Sequence, residues 1–291
     1  MLAATARTLI RVLPENAATR LSVFLAEAAF RAPIKDRDRA ALARGRHFGW
    51  GPGRRFSAWE WGQTGPQVVL IHGWGGRATQ MAPLAEYLAD NGYRCTAPDM
   101  RAHGASPGRR IRFIDFINDL PHLMSELESP IHALIGHSAG AMTMMRARQV
   151  HGVQAAHYVS INGPRAPYPP IEQLALQLNP GSGVLTRCRP YFAGQFGDRF
   201  EDLNDGRIYA YAGQGQLMAI HDQDDDQVHP GDAEVVTRTW PNGVRHQTQG
   251  LGHQRVLYDA GVHERIALAF SREPGDLPAA ASTAIQETTH S

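Results

Sequence analysis

A serine stands between two glycines at residues 136–140, which read GHSAG. This pentapeptide follows the apolar run at residues 131–135 and precedes a stretch that is typical of a helix. A strand, a tight turn and a helix in this order present a serine on a strained turn, where its hydroxyl can act as a nucleophile. Gly136 and Gly140 relieve the crowding of such a turn because they lack a Cβ atom. Ser138 is therefore the candidate nucleophile.

Serine chemistry of this kind needs two further side chains. A hydroxyl is a poor nucleophile at neutral pH, so a base must take its proton and a carboxylate must orient that base. The chain contains 14 histidines and an acidic cluster, DQDDD, at residues 222–226. A solvated, cation-binding loop is the alternative for the acidic cluster, but the run lacks the ligand spacing and glycine turn of a calcium loop.

Alternating strands and helices surround the serine turn. The hydrophobic pattern predicts strands at residues 56–61, 67–71, 93–97, 131–135, 156–161, 217–220 and 244–248, and helices at residues 79–90, 114–128, 139–150, 232–240 and 254–270. Strands separated by helices imply parallel pairing through right-handed crossovers. We therefore expect an α/β fold with a mostly parallel central sheet, helices on both faces, and ligands at the carboxyl ends of the strands.

The pattern also divides the chain into segments. Residues 51–163 and 207–271 are expected to form the core, and residues 1–50 an N-terminal helical extension that packs on the core or on a partner. A weak contact of this extension with a membrane surface is the alternative. Residues 272–291, rich in proline, alanine, serine and threonine, are expected to form a disordered tail.

Residues 164–206 interrupt the alternation. They carry many prolines, glycines and aromatic residues and show one clear helical run, at residues 171–178. A structureless loop of this length is uncommon inside a compact domain, so we expect a lid or cap insertion. Its aromatic residues either contact an apolar substrate group or pack the lid onto the core. Its arginines are candidates for an anionic substrate, although exposed arginines are usually solvated; they are Arg165, Arg187, Arg189 and Arg199.

Composition excludes several classes of protein. The chain has 291 residues, of which 43% are hydrophobic, and a formal net charge of +1. Its basic residues are scattered along the sequence, so they do not indicate a basic surface for nucleic-acid binding. Cys95 and Cys188 form neither a disulfide framework nor a metal-ligand pattern. Without a Walker or dinucleotide fingerprint, no cofactor and no metal are expected. The interior apolar runs are too short to span a membrane, and no persuasive leader precedes them, so we expect a cytoplasmic protein without stable membrane insertion.

Ordered motifs identify a family resemblance. Residues 70–76 (LIHGWGG), residues 99–106 (DMRAHGAS) and the serine turn follow one another, and an acidic loop and a histidine come late in the chain. Over residues 56–270 the chain resembles the α/β-hydrolase fold superfamily, in its serine esterase and lipase-like branch. The resemblance implies the α/β-hydrolase fold with a small inserted lid and a triad in the chain order Ser, Asp, His.

The resemblance selects one histidine as the general base. His253 lies in a loop after the last predicted strand, where this order requires the histidine of the triad. His72, His103 and His137 stand inside motifs, but the first two precede the serine and the third is its neighbour. In relatives such histidines are mostly structural or line the pocket.

The acid is selected by the same resemblance. In relatives the loop reads H-x-x-x-D-x-x-V-P or similar, which places the acid on Asp225, three residues before Val228. The usual proline after the valine is here His229, and this departure keeps Asp224 and Asp222 as alternatives.

Two backbone amides complete the implied site. Attack on a carbonyl develops negative charge on its oxygen, which must be stabilised by hydrogen-bond donors. The resemblance assigns this oxyanion hole to the backbone N–H groups of Trp74 and Ala139. Gly75 and Gly76 allow their loop to approach a substrate closely.

The sequence thus predicts a serine hydrolase that cleaves a carboxylic ester through an acyl-enzyme. The expected partner is a small-molecule ester with an apolar group, and a homodimer is left open. Thioesterase, lactonase and C–C bond hydrolase activities remain alternatives because the same triad serves them. A non-catalytic binding protein of the same fold is the alternative of a different class. Relatives with an aspartate nucleophile, the dehalogenases and epoxide hydrolases, are disfavoured by Ser138.

Overall fold

The computed structural model describes residues 2–29, 34, 36–127, 130–211, 213 and 215–271. A central sheet has the strand order β1-β2-β4-β3-β5-β6-β7-β8. Strand β2 pairs antiparallel with β1 and β4, and all other pairs are parallel. The strands are β1 (Arg46–Trp50), β2 (Phe56–Trp61), β3 (Gln67–Ile71), β4 (Arg94–Pro98), β5 (Ile131–His137), β6 (His157–Ile161), β7 (Gln216–Asp222) and β8 (Val244–Thr248).

Helices cover both faces of the sheet. The side chains of β3 alternate, so that Val69 and Ile71 join one hydrophobic cluster while Val68 and Leu70 join the other. The helices are α1 (Leu2–Val12), α2 (Glu15–Ala26), α3 (Asp36–Arg44), α4 (Ala78–Asp90), α5 (Phe113–Met124), α6 (Ala139–His151), α7 (Pro169–Leu178), α8 (Ser182–Gly194), α9 (Phe200–Leu203), α10 (Asp232–Arg238), α11 (Gly252–Arg255) and α12 (Ala260–Phe270). The predicted α/β architecture, with a mostly parallel sheet between two helical layers, is confirmed.

The N-terminal segment holds three helices and a strand. Helices α1, α2 and α3 were expected as part of a helical extension, but residues 46–50 instead form β1, paired antiparallel with β2. The strand was not predicted because RHFGW lacks a clear apolar alternation. Its residues gain their hydrogen bonds from β2, a contact that local pattern does not reveal.

The segment between β6 and β7 contains more helix than predicted. Helix α7 covers the predicted run, whereas α8 and α9 were not foreseen. Helix α8 contains Gly183 and Pro190, both poor helix formers, which obscure its pattern. The segment packs into the same hydrophobic cluster as the core through Phe192 and Phe196.

The C-terminal helix also differs from its prediction. Instead of one helix over residues 254–270, the chain forms α11, a 3-10 turn at Val256–Tyr258, and α12. Asp259 begins α12, because its side chain accepts a hydrogen bond from the Val262 N–H at 2.9 Å and thereby caps the helix. The tail predicted at residues 272–291 lies outside the described residues. Of the helices described, none has the length and apolar character needed to cross a membrane.

Replacement of Gly140 by alanine is expected to destabilise the fold. A Cβ atom there would lie 2.3 Å from the carbonyl oxygen of Ile71 and 2.6 Å from that of His72. Because these are backbone atoms, α6 must shift, and we expect Gly140→Ala to lower the free energy of unfolding by about 2 kcal/mol or more. Urea denaturation followed by circular dichroism measures this change.

Gly194→Ala is the matched control for Gly140→Ala. Gly194 ends α8, is exposed, and a Cβ there meets nothing within 4 Å. Alanine has the higher helix propensity, so this change should leave the stability equal or raise it by up to about 1 kcal/mol. Equal stability of the two variants would contradict the tight packing at Gly140.

Candidate active site

Ser138 lies on a strained turn between β5 and α6. Its backbone has φ 53° and ψ −121°, a conformation that residues other than glycine seldom adopt. The N–H of Ser138 donates to the carbonyl of Ile161 at 2.9 Å, which ties the turn to β6. A Cβ atom on Gly136 would lie 2.4 Å from the backbone of Ala141, so the turn has room only for glycine at this position.

His253 and Asp225 are in direct contact. The Nδ1 atom of His253, on α11, lies 2.8 Å from Oδ2 of Asp225, in the loop after β7. Both residues are buried, and His253 lines the same cavity as Ser138. The structure thus brings His253 into contact with Asp225 and places His253 and Ser138 in the lining of one cavity.

The surroundings of Asp225 favour its charged form. Burial raises the pKa of this carboxyl, but hydrogen bonds from His221 and His253 and from the Gln227 amide outweigh burial and hold the pKa well below its usual range. The Oδ1 atom accepts hydrogen bonds from the N–H groups of Gln227 and Val228 at 2.8 and 3.0 Å. Asp225 is thus a fixed, negatively charged partner for His253.

The two alternative acids occupy other positions. Asp222 accepts hydrogen bonds from the hydroxyl of Thr248 and the N–H of Gly252, each at 2.7 Å. Asp224 accepts from the N–H of Gly250 at 2.7 Å. Both carboxylates brace the loop that carries His253, and neither has a hydrogen bond to its imidazole among the described contacts.

Two residues that the sequence did not single out as positioning groups hold the backbone of His253. Its carbonyl accepts hydrogen bonds from Nε2 of His137 at 2.8 Å and from Nδ2 of Asn162 at 3.3 Å. Burial lowers the pKa of His137 to about 3, so this imidazole is neutral at physiological pH. In the sequence, Asn162 could have been found as a polar residue directly after the apolar strand β6, where side chains of a site are expected.

The loop after β3 forms another side of the cavity. Trp74 and Ala139, expected to supply the oxyanion hole, both line the cavity together with Ser138. The N–H of Gly75 donates to Nε2 of His103 at 3.1 Å, and the Trp74 ring packs on Phe113 with centroids 4.6 Å apart. These contacts fix the backbone of the loop beside the serine turn.

The cavity at this site has a volume of about 930 Å³. Its lining includes leucine, isoleucine, phenylalanine and methionine side chains, and no Asp, Glu, Lys or Arg among the residues described. Within the described ranges, no group of three or more His, Cys, Asp or Glu residues is arranged to hold a metal ion. The described lining of the cavity is therefore mostly apolar.

Topology and site together define the class of the protein. An eight-stranded sheet with one antiparallel strand near its edge, a serine on a strained turn after β5 and a histidine after β8 are the architecture of the α/β hydrolases. The model of the alpha/beta hydrolase family matches residues 68–280, and the chain belongs to this family.

Curated relatives match over part of the chain. The non-heme chloroperoxidase CPO-A1 of Kitasatospora aureofaciens is 35% identical over 95 residues, which cover 32% of this chain and 34% of the relative. Epoxide hydrolase A of Mycobacterium tuberculosis is 30% identical over 128 residues, covering 41% of this chain and 40% of the relative. The chain spans between 28% and 40% of the length of the curated relatives it matches.

Solved structures share the fold over most of the chain. A monoacylglycerol lipase of Paleococcus ferrophilus has a TM-score of 0.57 at 18% identity, covering 74% of this chain and 98% of that chain. The thioesterase domain from the curacin biosynthetic pathway has a TM-score of 0.57 at 17% identity, and the match covers 78% of this chain and 98% of that chain. At such identities the likeness concerns the fold alone.

Removal of the Asp225 charge should change how stability depends on pH. The folded-state pKa is lowered, so the carboxylate stabilises the fold above its unfolded pKa of about 4, and this contribution is lost as the pH falls. At pH 7 we expect Asp225→Asn to lower the free energy of unfolding by about 2 kcal/mol. The difference from wild type should shrink below about pH 4 in urea titrations.

Asp226→Asn is the control for this pH dependence. Asp226 is the next residue and is exposed. Its replacement should change the free energy of unfolding only slightly, and by the same amount at pH 7 and at pH 3. A gap between wild type and Asp225→Asn that stays constant from pH 7 to pH 3 would show that the Asp225 carboxylate is not held in its charged form.

Proposed function

We propose that the protein is a serine hydrolase that cleaves carboxylic esters through an acyl-enzyme. The observation that carries the proposal is the contact of 2.8 Å between His253 and Asp225, made by a buried imidazole that shares its cavity with Ser138. A carboxylate on Nδ1 leaves Nε2 as the atom that can take a proton. A receptor of the same fold would not need this arrangement.

The proposed reaction begins with an attack on the ester carbonyl carbon. The Oγ atom of Ser138 forms the new bond while Nε2 of His253 takes its proton, and Asp225 stabilises the imidazolium. The oxygen of the tetrahedral intermediate accepts hydrogen bonds from the N–H groups of Trp74 and Ala139.

Collapse of this intermediate breaks the bond to the alcohol. His253 gives its proton to the leaving alcohol, and an acyl-enzyme remains on Ser138. Water then attacks the acyl group, with His253 again as the base. The second tetrahedral intermediate releases the carboxylic acid and restores the serine.

An apolar group on the substrate follows from the cavity. Burial of apolar surface favours binding by about 25 cal/mol per Å², and the side chains of Ile111, Phe113 and Met142 offer such surface near Ser138. The two glycines that flank Trp74 leave space for the reacting carbonyl beside the loop.

Ser138→Ala should abolish turnover of 4-nitrophenyl butanoate and labelling by a fluorophosphonate probe. Both reactions need the same activated hydroxyl, so the hydrolytic rate should fall by at least about 10⁴-fold, and no labelled band should form. Release of 4-nitrophenol and in-gel fluorescence measure the two effects, and mass spectrometry of the labelled peptide locates the adduct.

Ser160→Ala is the matched control for the serine. Ser160 is buried on the neighbouring strand β6 and does not line the cavity. This variant should keep its labelling and its turnover. Failure of the folded wild-type protein to react with the probe, while a known esterase reacts, would favour the non-catalytic alternative.

Asp225→Asn should reduce kcat for 4-nitrophenyl butanoate by about 10⁴-fold with little change in KM. An amide at this position favours the wrong tautomer of His253 and does not stabilise the imidazolium. Asp224→Asn removes the neighbouring exposed carboxylate. It should lower kcat by less than about 10-fold, because Asp224 bonds to the Gly250 N–H of the loop rather than to the imidazole of His253. Equal losses in the two variants would argue against Asp225 as the acid.

A further inference from the structure

Helices α1 and α2 form a wall of the cavity that holds Ser138. Both helices precede residues 68–280, which the family model matches. The residues that α1 and the α2 segment contribute to the lining are Thr5, Ala6, Leu9, Leu21, Leu25, Ala26 and Ala28. Apart from Thr5, all have apolar side chains.

Helix α7 contributes further residues to the lining of the same cavity. Leu174 and Leu178 of α7 line the same space, as do Ile111 and Phe113 near the oxyanion loop. Helix α1 is joined to α7, where the Arg7 guanidinium donates to the carbonyl of Gln177 at 2.8 Å. Helices α1, α2 and α7 thus line an apolar part of the cavity that also contains Ser138.

A buried carboxylate anchors the wall. Glu27, directly after α2, is fully buried, and its side chain forms an ion pair with Arg110. It also accepts hydrogen bonds from the hydroxyl of Tyr191 at 2.7 Å and from Nε2 of Gln195 at 3.0 Å. Burial and this carboxylate raise the pKa of Tyr191 to about 12, so the phenol keeps the proton that it donates.

The anchor places the end of α2 next to the oxyanion loop. Ala28 pairs with Arg110 in a β-bridge, and the N–H of Ile111 donates to the Glu27 carbonyl at 2.7 Å. Two residues further along, Phe113 packs on Trp74. The wall is therefore continuous with the site where the ester carbonyl would sit.

The charges near the lid do not reach the cavity. Three of its arginines form ion pairs, Arg165 with Asp232, Arg187 with Glu15 and Arg199 with Asp202, and Arg189 lies over the ring of Phe200. None of the four lines the cavity. An anionic substrate would find no Lys or Arg among the described residues that line the cavity. The polar residues of this lining are Thr5, Gln80, His137, Ser138, Gln173, Gln177, Gln227, His253 and Gln254.

We propose that α1 and α2 form the acyl-chain wall of the site and that the substrate is an uncharged ester with a long, flexible apolar chain lying against Leu21 and Leu25. The proposal rests on the proposed hydrolase function and specifies its substrate class. Each methylene that the wall takes out of water should raise kcat/KM by about 4-fold. A buried terminal carboxylate on the same chain should remove this gain.

The first test compares chain lengths on the full-length protein. For the wild type, kcat/KM should rise along the 4-nitrophenyl esters from acetate to octanoate. The kcat/KM for the mono-4-nitrophenyl ester of octanedioic acid should be at least about 10-fold lower than that for the octanoate. In Leu21→Trp, the larger side chain should fill part of the cavity that Leu21 lines. Turnover of octanoate should fall at least about 10-fold, while turnover of acetate stays within about 2-fold.

Phe24→Trp is the matched control on the same helix. Phe24 is 55% exposed and does not line the cavity, so this variant should keep the wild-type profile. Leu21→Asn preserves the size of the side chain but makes it polar, and it should cause the same selective loss. A flat wild-type profile, or equal profiles for wild type, Leu21→Trp and Leu21→Asn, would overturn the proposal.

A binding measurement separates this proposal from the hydrolase function. Ser138→Ala cannot form the acyl-enzyme, so Nile red, an uncharged apolar dye, can be bound and then displaced by octan-1-ol or octanoate. We expect octan-1-ol to displace the dye at concentrations at least about 10-fold lower than octanoate, and the Leu21→Trp change to weaken this displacement. Displacement without ester turnover in the wild type would overturn the hydrolase function alone, whereas turnover without displacement would overturn the acyl-chain wall alone.

Discussion

The backbone of Ser138 is the constraint on which the site depends. A φ of 53° places the serine at the tip of a sharp turn, and this conformation persists only because surrounding packing enforces it. Strand β3 and helix α6 supply that packing, since Gly140 of α6 lies against the carbonyl oxygens of Ile71, the last residue of β3, and of His72. The N–H of Ser138 is bound to Ile161 on β6. The candidate nucleophile is therefore positioned by strands β3, β5 and β6.

The remaining groups come from the ends of neighbouring strands. Asp225 follows β7 and His253 follows β8, and parallel pairing brings the carboxyl ends of these strands to one edge of the sheet. Asn162, after β6, connects them: its Oδ1 accepts from the N–H of Asp222 at 3.0 Å, and its Nδ2 donates to the His253 carbonyl. Because these bonds are buried, they hold the loops in one arrangement that side-chain packing alone would not select.

The sequence predicted the central elements because their signals are local. Strands β2, β3 and β8 were predicted with their observed bounds, since each is a short run between turn residues. Strand β1 and helix α8 were missed, because the first depends on pairing with β2 and the second contains Gly183 and Pro190. The local sequence pattern shows which secondary structure a segment can form. Where that pattern is weak, tertiary contacts determine which structure the segment adopts.

The candidate site was predicted only in part for the same reason. Local pattern singled out Ser138 as the candidate nucleophile, but the choice of His253 among 14 histidines as the candidate base needed the family resemblance. The part played by α1 and α2 was not visible from the sequence. An amphipathic pattern shows which face of a helix is apolar, and it does not show whether that face covers the core, a partner or a cavity.

Buried polar bonds determine the position of the cavity wall, and apolar side chains determine its shape. The buried Glu27 cluster fixes where α2 lies relative to α8. Loss of Arg110 would leave the buried Glu27 carboxylate without its counter-charge, at a cost of about 3 to 5 kcal/mol. Leu21 and Leu25 have no such polar role and face the cavity. Their size can therefore vary without displacing the helix, so chain-length preference can change while the serine turn and the His253 loop keep their geometry.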